Sequence, residues 1–258
     1  PGLFLPEWPG KVQTEIRSQG KKNGEELLAE LQLEKLSGTL RDLPLTGNGG
    51  AEINGRDVQI HALHLQSGST RVDIDGQADE QNLHFTLQAR SDDLTPFIPE
   101  LRGSFVIQAE AQGTAEHPEI QLSLTGFEPA FQDYALHDLH SEVKARLTLQ
   151  GEEQEAAVDE LRVVLNEKST LAATGKVGWS KGLSWQLDLS GKELDPALFL
   201  AEWPGSITAE LRSRGEKDAD KLTAQVRINA LQGTLRDFPF SGSGAAELKN
   251  QQILPGNG

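Results

Sequence analysis

Residues 222–231 read LTAQVRINAL, and residues 27–36 read LLAELQLEKL. Taken alone, the second segment could form a helix, because Glu, Leu and Ala favour helices. The first segment is rich in β-branched residues and alternates apolar with polar side chains, which is typical of a strand with one face in water. The two segments are copies of each other, so both are predicted to be strands.

These copies belong to a longer repeat with an offset of 195 residues. LFLPEWPG at 3–10 returns as LFLAEWPG at 198–205, and 26 of the 55 pairs between 1–55 and 196–250 are identical. A weaker copy that begins with PFIPELRG at 96–103 halves the period. The sequence therefore predicts repeat units at 1–95 and 96–195 and a partial unit at 196–258, together one continuous β-groove fragment.

Composition limits the kind of core that this chain can build. Only 36% of the 258 residues are hydrophobic and 5% are aromatic, which favours thin sheets that bury one face. The net charge of −15 argues against nucleic acid as a partner, because a phosphate backbone attracts a positive surface. The chain has no Cys, and no segment approaches the ~18 apolar residues of a membrane-spanning helix. It begins at Pro1 and contains no Met, so we expect a piece of a longer protein.

The predicted fold class is all-β: an elongated, repetitive, U-shaped antiparallel sheet (a β-taco or groove) with short helical turns at repeat boundaries. Asp195 is expected to cap one such turn, with Pro196 at its first position. Turn signals divide the strands, at Asn54-Gly55, Asp75-Gly76, Lys181-Gly182 and the glycine clusters at 47–50 and 242–244. A filled sandwich would show the same alternation, so the open trough and the dry core both stay possible at this stage.

The alternating apolar residues are the candidate lining of a lipid groove. They are Val12, Ile16, Leu27, Leu31, Leu33, Leu83, Phe85, Leu87, Phe105, Ile107, Ile120, Leu122, Leu124, Val143, Leu147, Leu161, Val163, Leu165, Leu183, Trp185, Leu187, Ile207, Leu211, Leu222, Val226 and Ile228.

Polar residues give no sign of an active site. No nucleophile, base and orienting group recur together, so we predict neither an enzyme nor a cofactor or metal site. His61 and His64 are three apart, a spacing that places them on opposite faces of a regular strand. The recurring Arg41-Asp42 and Arg236-Asp237 are predicted to be structural turns or corner ion pairs. Trp8 and Trp203, at matching positions, are predicted to be packing anchors.

The segments LDPALFLAEWPG at 194–205 and LQGTLRDFPFSGSG at 231–244 give the chain a family resemblance. It resembles the middle part of the TamB family, subunits of the translocation and assembly module that are grouped with AsmA-like, bridge-type lipid transfer proteins. The resemblance implies a periplasmic chain whose parent is anchored in the bacterial inner membrane. It also implies a groove that shields phospholipid acyl chains between the two membranes, and an outer-membrane barrel partner bound through regions outside this chain.

Two other functions fit the same pattern. A chaperone-like scaffold would guide β-barrel or autotransporter proteins by pairing with their strand edges. An inert spacer would only span the distance between two membranes.

Overall fold

The computed structural model of the chain describes residues 10–24, 26–93, 95, 99, 101–131, 134–135, 138–149, 154–165, 168–180, 182–198, 202–218, 221–249 and 252–255. These residues fall into two compact units. The first lies within Pro1–Pro118 and Leu124–Gln132, and the second within Glu119–Ser123 and Asp133–Gly258.

The first unit is an antiparallel meander in which each strand pairs with the next along the chain. Its strands are β1 (Gly10–Asn23), β2 (Glu26–Leu40), β3 (Leu43–Asn54), β4 (Asp57–Ser67), β5 (Thr70–Ala78), β6 (Leu83–Ser91) and β7 (Leu101–Gly113). The residues of β8 (Pro118–Phe131) are divided between the two units.

In the second unit, β10 to β17 form another antiparallel meander of sequential neighbours. The strands are β9 (Tyr134–Ala135), β10 (Asp138–Thr148), β11 (Glu155–Val164), β12 (Thr170–Gly178), β13 (Leu183–Leu194), β14 (Gly205–Asp218), β15 (Lys221–Leu235), β16 (Phe238–Lys249) and β17 (Gln252–Pro255). The described residues contain no α-helix, and the prediction of an all-β, antiparallel fold is confirmed.

The 195-residue repeat is present in the structure. β14, β15 and β16 begin and end 195 residues after β1, β2 and β3. The registers also agree: the shift between Glu15 and Ile16 in the β1–β2 pair recurs between Glu210 and Leu211 in the β14–β15 pair. The division into units at 1–95, 96–195 and 196–258 stays a prediction.

Each meander is bent by β-bulges that follow one another from strand to strand. In the first unit the register shifts in four successive pairs, from β1–β2 through β4–β5. In the second unit it shifts in the pairs β10–β11, β11–β12, β13–β14, β14–β15 and β15–β16. A bulge bends its strand and increases the local twist, so neighbouring bulges bend each sheet across several strands.

Two hairpin turns place non-glycine residues in the left-handed region. Arg41 and Asp42 have φ of 47° and 64°, and Arg236 and Asp237 have φ of 49° and 66°. Both central residues of a type I′ hairpin turn need positive φ, and these pairs connect β2 to β3 and β15 to β16. The prediction that the repeated Arg-Asp pairs are structural turns is confirmed.

Three of the predicted turns are wrong. Asp75-Gly76 lies inside β5, the glycine cluster at 47–50 lies inside β3, and the cluster at 242–244 lies inside β16. Gly76 is glycine for a different reason, because a Cβ there would overlap the Phe85 ring on β6. Glycine within a strand often marks such a close approach rather than a turn.

Among the unit starts, the structure describes one turn. Pro196–Leu198 forms a single 3₁₀ turn, and Asp195 Oδ1 accepts hydrogen bonds from the amides of Ala197 (2.9 Å) and Gly205 (3.3 Å). Pro1 and Pro96, where the other two turns were predicted, lie outside the described residues. One 3₁₀ turn does not establish helical turns at every repeat boundary.

Few side chains are fully buried. Among the described residues, the buried hydrophobic ones are Phe105, Leu165, Ala173 and Ala209. A filled sandwich would bury most of its inward-facing apolar residues. Within the described residues, each meander is therefore an open sheet.

Candidate functional site

The pairing registers place the alternating apolar residues of the first unit on one side of the sheet, called here the first apolar face. Residues directly opposite in a ladder point to the same side, so rows can be followed from β1 to β7. The three central rows are Thr14–Leu36–Gly47–Leu65–Val72–Ala89–Ile107, Ile16–Leu33–Gly49–Leu63–Ile74–Leu87–Ala109 and Ser18–Leu31–Ala51–Ile60–Gly76–Phe85–Ala111. In the second of these rows, Gly49 lies beside Leu63 at a bulge.

The second unit has an equivalent second apolar face, which runs from β10 to β16. Its three central rows are Val143–Leu161–Ala173–Leu189–Leu211–Ile228–Gly244, Ala145–Val158–Gly175–Leu187–Ser213–Val226–Ala246 and Leu147–Ala156–Val177–Trp185–Gly215–Ala224–Leu248. None of these six central rows contains a charged residue; nearer the strand ends, Lys22 lies opposite Leu27, and Lys217 lies opposite Leu183 and Leu222.

Most of the predicted lining residues are half-buried on these faces. Phe105 and Leu165 are buried, whereas Val12, Ile16, Leu27 and Leu183 are exposed, Ile16 by 60%. Ile120, Leu122 and Leu124 lie half-buried at alternate positions of β8. The remaining ones are half-buried in the two meanders, at Leu31, Leu33, Leu83, Phe85, Leu87, Ile107, Val143, Leu147, Leu161, Val163, Trp185, Leu187, Ile207, Leu211, Leu222, Val226 and Ile228.

Two aromatic side chains lie across glycines of the neighbouring strand. A Cβ on Gly76 would overlap the Phe85 ring, and a Cβ on Gly215 would overlap the Trp185 ring. Trp185 Nε1 also donates a hydrogen bond to Ser213 Oγ at 2.9 Å. Both rings therefore lie close to the backbone of the sheet, and the polar atom of Trp185 is satisfied within the sheet.

Sequence reasoning missed several members of the apolar faces, among them Leu36, Leu63, Leu65 and Ile74. Leu36 and Leu63 follow bulges, where the period of two is interrupted. The available signal was a step of three between apolar residues, as in Leu33 to Leu36. The same step marks the bulge between Ile228 and Leu231.

The opposite side of the first sheet, its polar face, carries both histidines of the 61–64 pair. The prediction that they face opposite ways is wrong, since the bulge at Ala62 adds one residue between them. His61 Nε2 lies 3.5 Å from Glu52 Oε1, and His64 Nδ1 pairs with Asp73 Oδ1. His64 borders an open depression of about 850 Å³, and both histidines border its smaller neighbour of about 260 Å³.

Ion pairs on the polar face of the second unit bridge adjacent strands. Arg146 donates two hydrogen bonds to Asp159 (2.7 and 2.6 Å), and Lys144 donates one to Glu160 (2.8 Å). These hydrogen bonds hold the pKa of the Asp159 and Glu160 carboxyl groups below their ordinary values. Their stabilisation is present above the unfolded-state pKa and is lost as the pH falls through the lowered one.

Arg236 joins a hairpin turn to the segment before β14. Its guanidinium lies 4.3 Å from the centre of the Trp203 ring, and its Nε donates a hydrogen bond to the carbonyl of Glu202 at 2.8 Å. Its backbone amide bonds to the carbonyl of Pro204 at 2.9 Å. Trp203 is 41% exposed and its ring contacts the Arg236 guanidinium, so its role as a packing anchor stays a prediction. Trp8, at the matching position of the first copy, lies outside the described residues.

Within the described residues, no helix is long and apolar enough to cross a bilayer, and no cluster of three or more potential ligands is arranged around a metal position.

Comparison with known proteins agrees with the fold. The family model described as "TamB, N-terminal domain" matches residues 1–146 and again residues 139–254. A relative from Haemophilus influenzae, "Translocation and assembly module subunit TamB", is 28% identical over 112 residues, which cover 43% of this chain and 8% of that protein. No solved structure matches. Because the family model matches nearly the whole chain, the chain belongs to the TamB family.

Proposed function

We propose that the two apolar faces shield phospholipid acyl chains in transit between the inner and outer membranes. The observation that carries this proposal is the set of uncharged, mostly aliphatic rows that cross seven strands in each unit and stay partly exposed. Moving a hydrocarbon chain from water to such a surface gains about 0.8 kcal/mol per buried CH₂.

The chemistry of the rows suits a chain that slides. Aliphatic side chains offer no hydrogen bond that would hold one position of an acyl chain more firmly than the next. The Trp185 indole donates its hydrogen bond within the sheet, to Ser213, and its ring lies over Gly215. The charged side chains of the polar faces, such as Arg146 and Asp159, would remain in water on the opposite side.

The wider role follows from family membership and is part of the same proposal. The chain would be a periplasmic segment of a translocation and assembly module subunit. Its parent would be anchored in the inner membrane and would bind an outer-membrane barrel protein through regions outside this chain. The chain spans only 8% of the curated relative that it matches, and we propose no enzymatic activity.

Photocrosslinking at two adjacent positions of β13 tests the proposal. Leu187 lies half-buried in a central row of the second apolar face, whereas Gln186 is exposed on the polar face. With a photoreactive amino acid at either position, lipid adducts should form at 187 and be absent at 186. Positions 31 and 107 on the first apolar face should behave like 187.

Equal labelling at 186 and 187, or no lipid adduct at 187 in a folded chain, would contradict the proposal. A scaffold that pairs with strand edges would instead form adducts with client polypeptide. A spacer does not use the apolar face, so it would tolerate Leu187→Asp in a cellular assay. Gln186→Asp is the matched control, because it introduces the same charge on the polar face.

A further inference from the structure

The polar face of β14, β15 and β16 contains a concave site surrounded by arginines. The cavity has a volume of about 490 Å³, and its lining includes Arg212, Arg214, Arg227, Gln186, Gln225 and Glu247. Three guanidinium groups so close together are unexpected in a chain whose net charge is −15.

Among the described residues, one of the three arginines forms an ion pair with a carboxylate. Arg212 Nε donates to Asp188 Oδ1 at 2.7 Å, whereas Arg214 Nε donates to the neutral amide oxygen of Gln225 at 2.7 Å. Within the described part of the chain, Arg227 makes neither a hydrogen bond nor an ion pair. Arg227 therefore keeps all of its N–H donors available beside the cavity.

The register places Arg212 directly opposite Arg227 in the β14–β15 pair. Side chains opposite each other in a ladder start about 4.5–5.5 Å apart at Cβ, and like charges in that position are destabilising. Local arrangements that cost stability are expected where they serve a function.

The first copy of the repeat shows that the scaffold does not need these arginines. The pair that corresponds to Arg212 and Arg227 is Arg17 and Gln32, which face each other in the same register. Arg214 corresponds to Gln19, and Gln225 corresponds to Glu30. The depression beside Gln32 is bordered by Glu30, Glu52 and His61. Glu52 is kept as Glu247 in the second copy, whereas Glu30 becomes the neutral Gln225 and Gln32 becomes Arg227, so the second copy is the more basic one.

We propose that the arginine-lined cavity of β14–β16 binds a phosphate group. Arg212 and Arg227 reach it from two adjacent strands, and each guanidinium presents N–H groups in a planar fork. A carboxylate has two oxygens, which one fork occupies, whereas a phosphate has enough unesterified oxygens to accept bonds from both. The phosphate can belong to a lipid headgroup or to a small soluble ester.

This site lies on the side of the sheet opposite the second apolar face. The phosphate proposal does not depend on the proposed path for acyl chains, so a negative result for one proposal does not contradict the other.

Calorimetric titration of the full chain with inorganic phosphate at low salt tests the proposal. Arg227→Gln installs the residue found at the corresponding position of the first copy, and it should weaken phosphate binding about tenfold. Arg17→Gln is the matched control, because it removes the same charge from a polar face, where Arg17 pairs with Glu34 at 2.8 Å. This control should bind phosphate like the unmodified chain, and acetate should bind much more weakly than phosphate.

Vesicles identify the source of the phosphate. Binding to phosphatidylcholine vesicles that contain phosphatidic acid, lost in Arg227→Gln, would assign the site to a lipid headgroup; phosphate binding without vesicle binding would assign it to a soluble ester. The proposal is overturned if phosphate does not bind saturably, or if Arg227→Gln and Arg17→Gln change its affinity equally while circular dichroism shows both variants folded.

Discussion

Glycines on the apolar faces differ in whether the neighbouring strand leaves room for a side chain. At Gly215, an added Cβ would meet the Trp185 ring and lie 2.6 Å from the carbonyl oxygen of Thr223. At Gly244, which also lies in a row of the second apolar face, no atom lies within 4 Å of an added Cβ. Only the first glycine is required by the packing of its neighbours.

Gly215→Ala should therefore destabilise the chain by about 1–3 kcal/mol, since overpacking forces the ring or the backbone to move. Gly244→Ala should be neutral or stabilise the chain by up to about 1 kcal/mol, because it lowers the entropy of the unfolded state. Urea unfolding measures both effects, and tryptophan fluorescence of the folded Gly215→Ala variant should report a displaced Trp185. Equal unfolding midpoints for the two variants would show that the ring does not lie over Gly215.

At the scale of single elements, the turn between β15 and β16 stores backbone strain that the Arg236 side chain offsets. Asp237 has a positive φ like Arg236, but only Arg236 contacts the Trp203 ring and the Glu202 carbonyl. A left-handed conformation costs a residue with a Cβ about 1–2 kcal/mol.

Asp237→Gly should relieve this strain and raise the unfolding midpoint. Arg236→Gly relieves the same kind of strain but removes the cation–π contact and a hydrogen bond, each worth about 1 kcal/mol. Thermal unfolding should therefore rank Asp237→Gly above Arg236→Gly. If the two variants are equally stable, the contacts of Arg236 do not hold the turn.

The strands could be predicted from sequence because one face of each is wet, and alternation such as Leu83, Phe85 and Leu87 follows directly from that. The bulges were not predicted: a step of three between apolar residues marks several of them, but the added residue itself, such as Ala62, is an ordinary one. Its left-handed conformation (φ 46°) is held by a partner on another strand, Asp75, whose carboxylate accepts a hydrogen bond from the Ala62 amide at 2.8 Å. The sequence does not show that Asp75 lies beside Ala62, because this depends on how the strands pair. The wrong prediction that His61 and His64 face opposite sides of the sheet follows from the missed bulge.

The prediction of turns at the glycine clusters was wrong for a related reason. A glycine can mark a turn or a close approach between strands, and the sequence contains the glycine but not the neighbour that decides between them. The true turn at 236–237 uses Arg and Asp, and the repeat at 41–42 was its only signal.

At the scale of the whole chain, the two described copies of the repeat keep one face aliphatic and change the charge of part of the polar face. Ile16, Leu31 and Leu33 correspond to Leu211, Val226 and Ile228, so aliphatic residues stay aliphatic. On the other side, Gln19 and Gln32 become Arg214 and Arg227. This pattern is expected if the repeated apolar face performs one task in every copy while the polar face is free to acquire separate sites.

Trp185 can report directly whether acyl chains contact the second apolar face. A variant that keeps only Trp185, with Phe at positions 8, 179 and 203, is mixed with phospholipid that carries bromine in the middle of its acyl chains. A second variant that keeps only Trp203, at the turn contacted by Arg236, is the control. We expect brominated lipid to quench Trp185 strongly, unbrominated lipid not to quench it, and Trp203 to be little affected. Unchanged Trp185 fluorescence in the folded chain, or equal quenching of both tryptophans, would contradict the proposed contact with acyl chains.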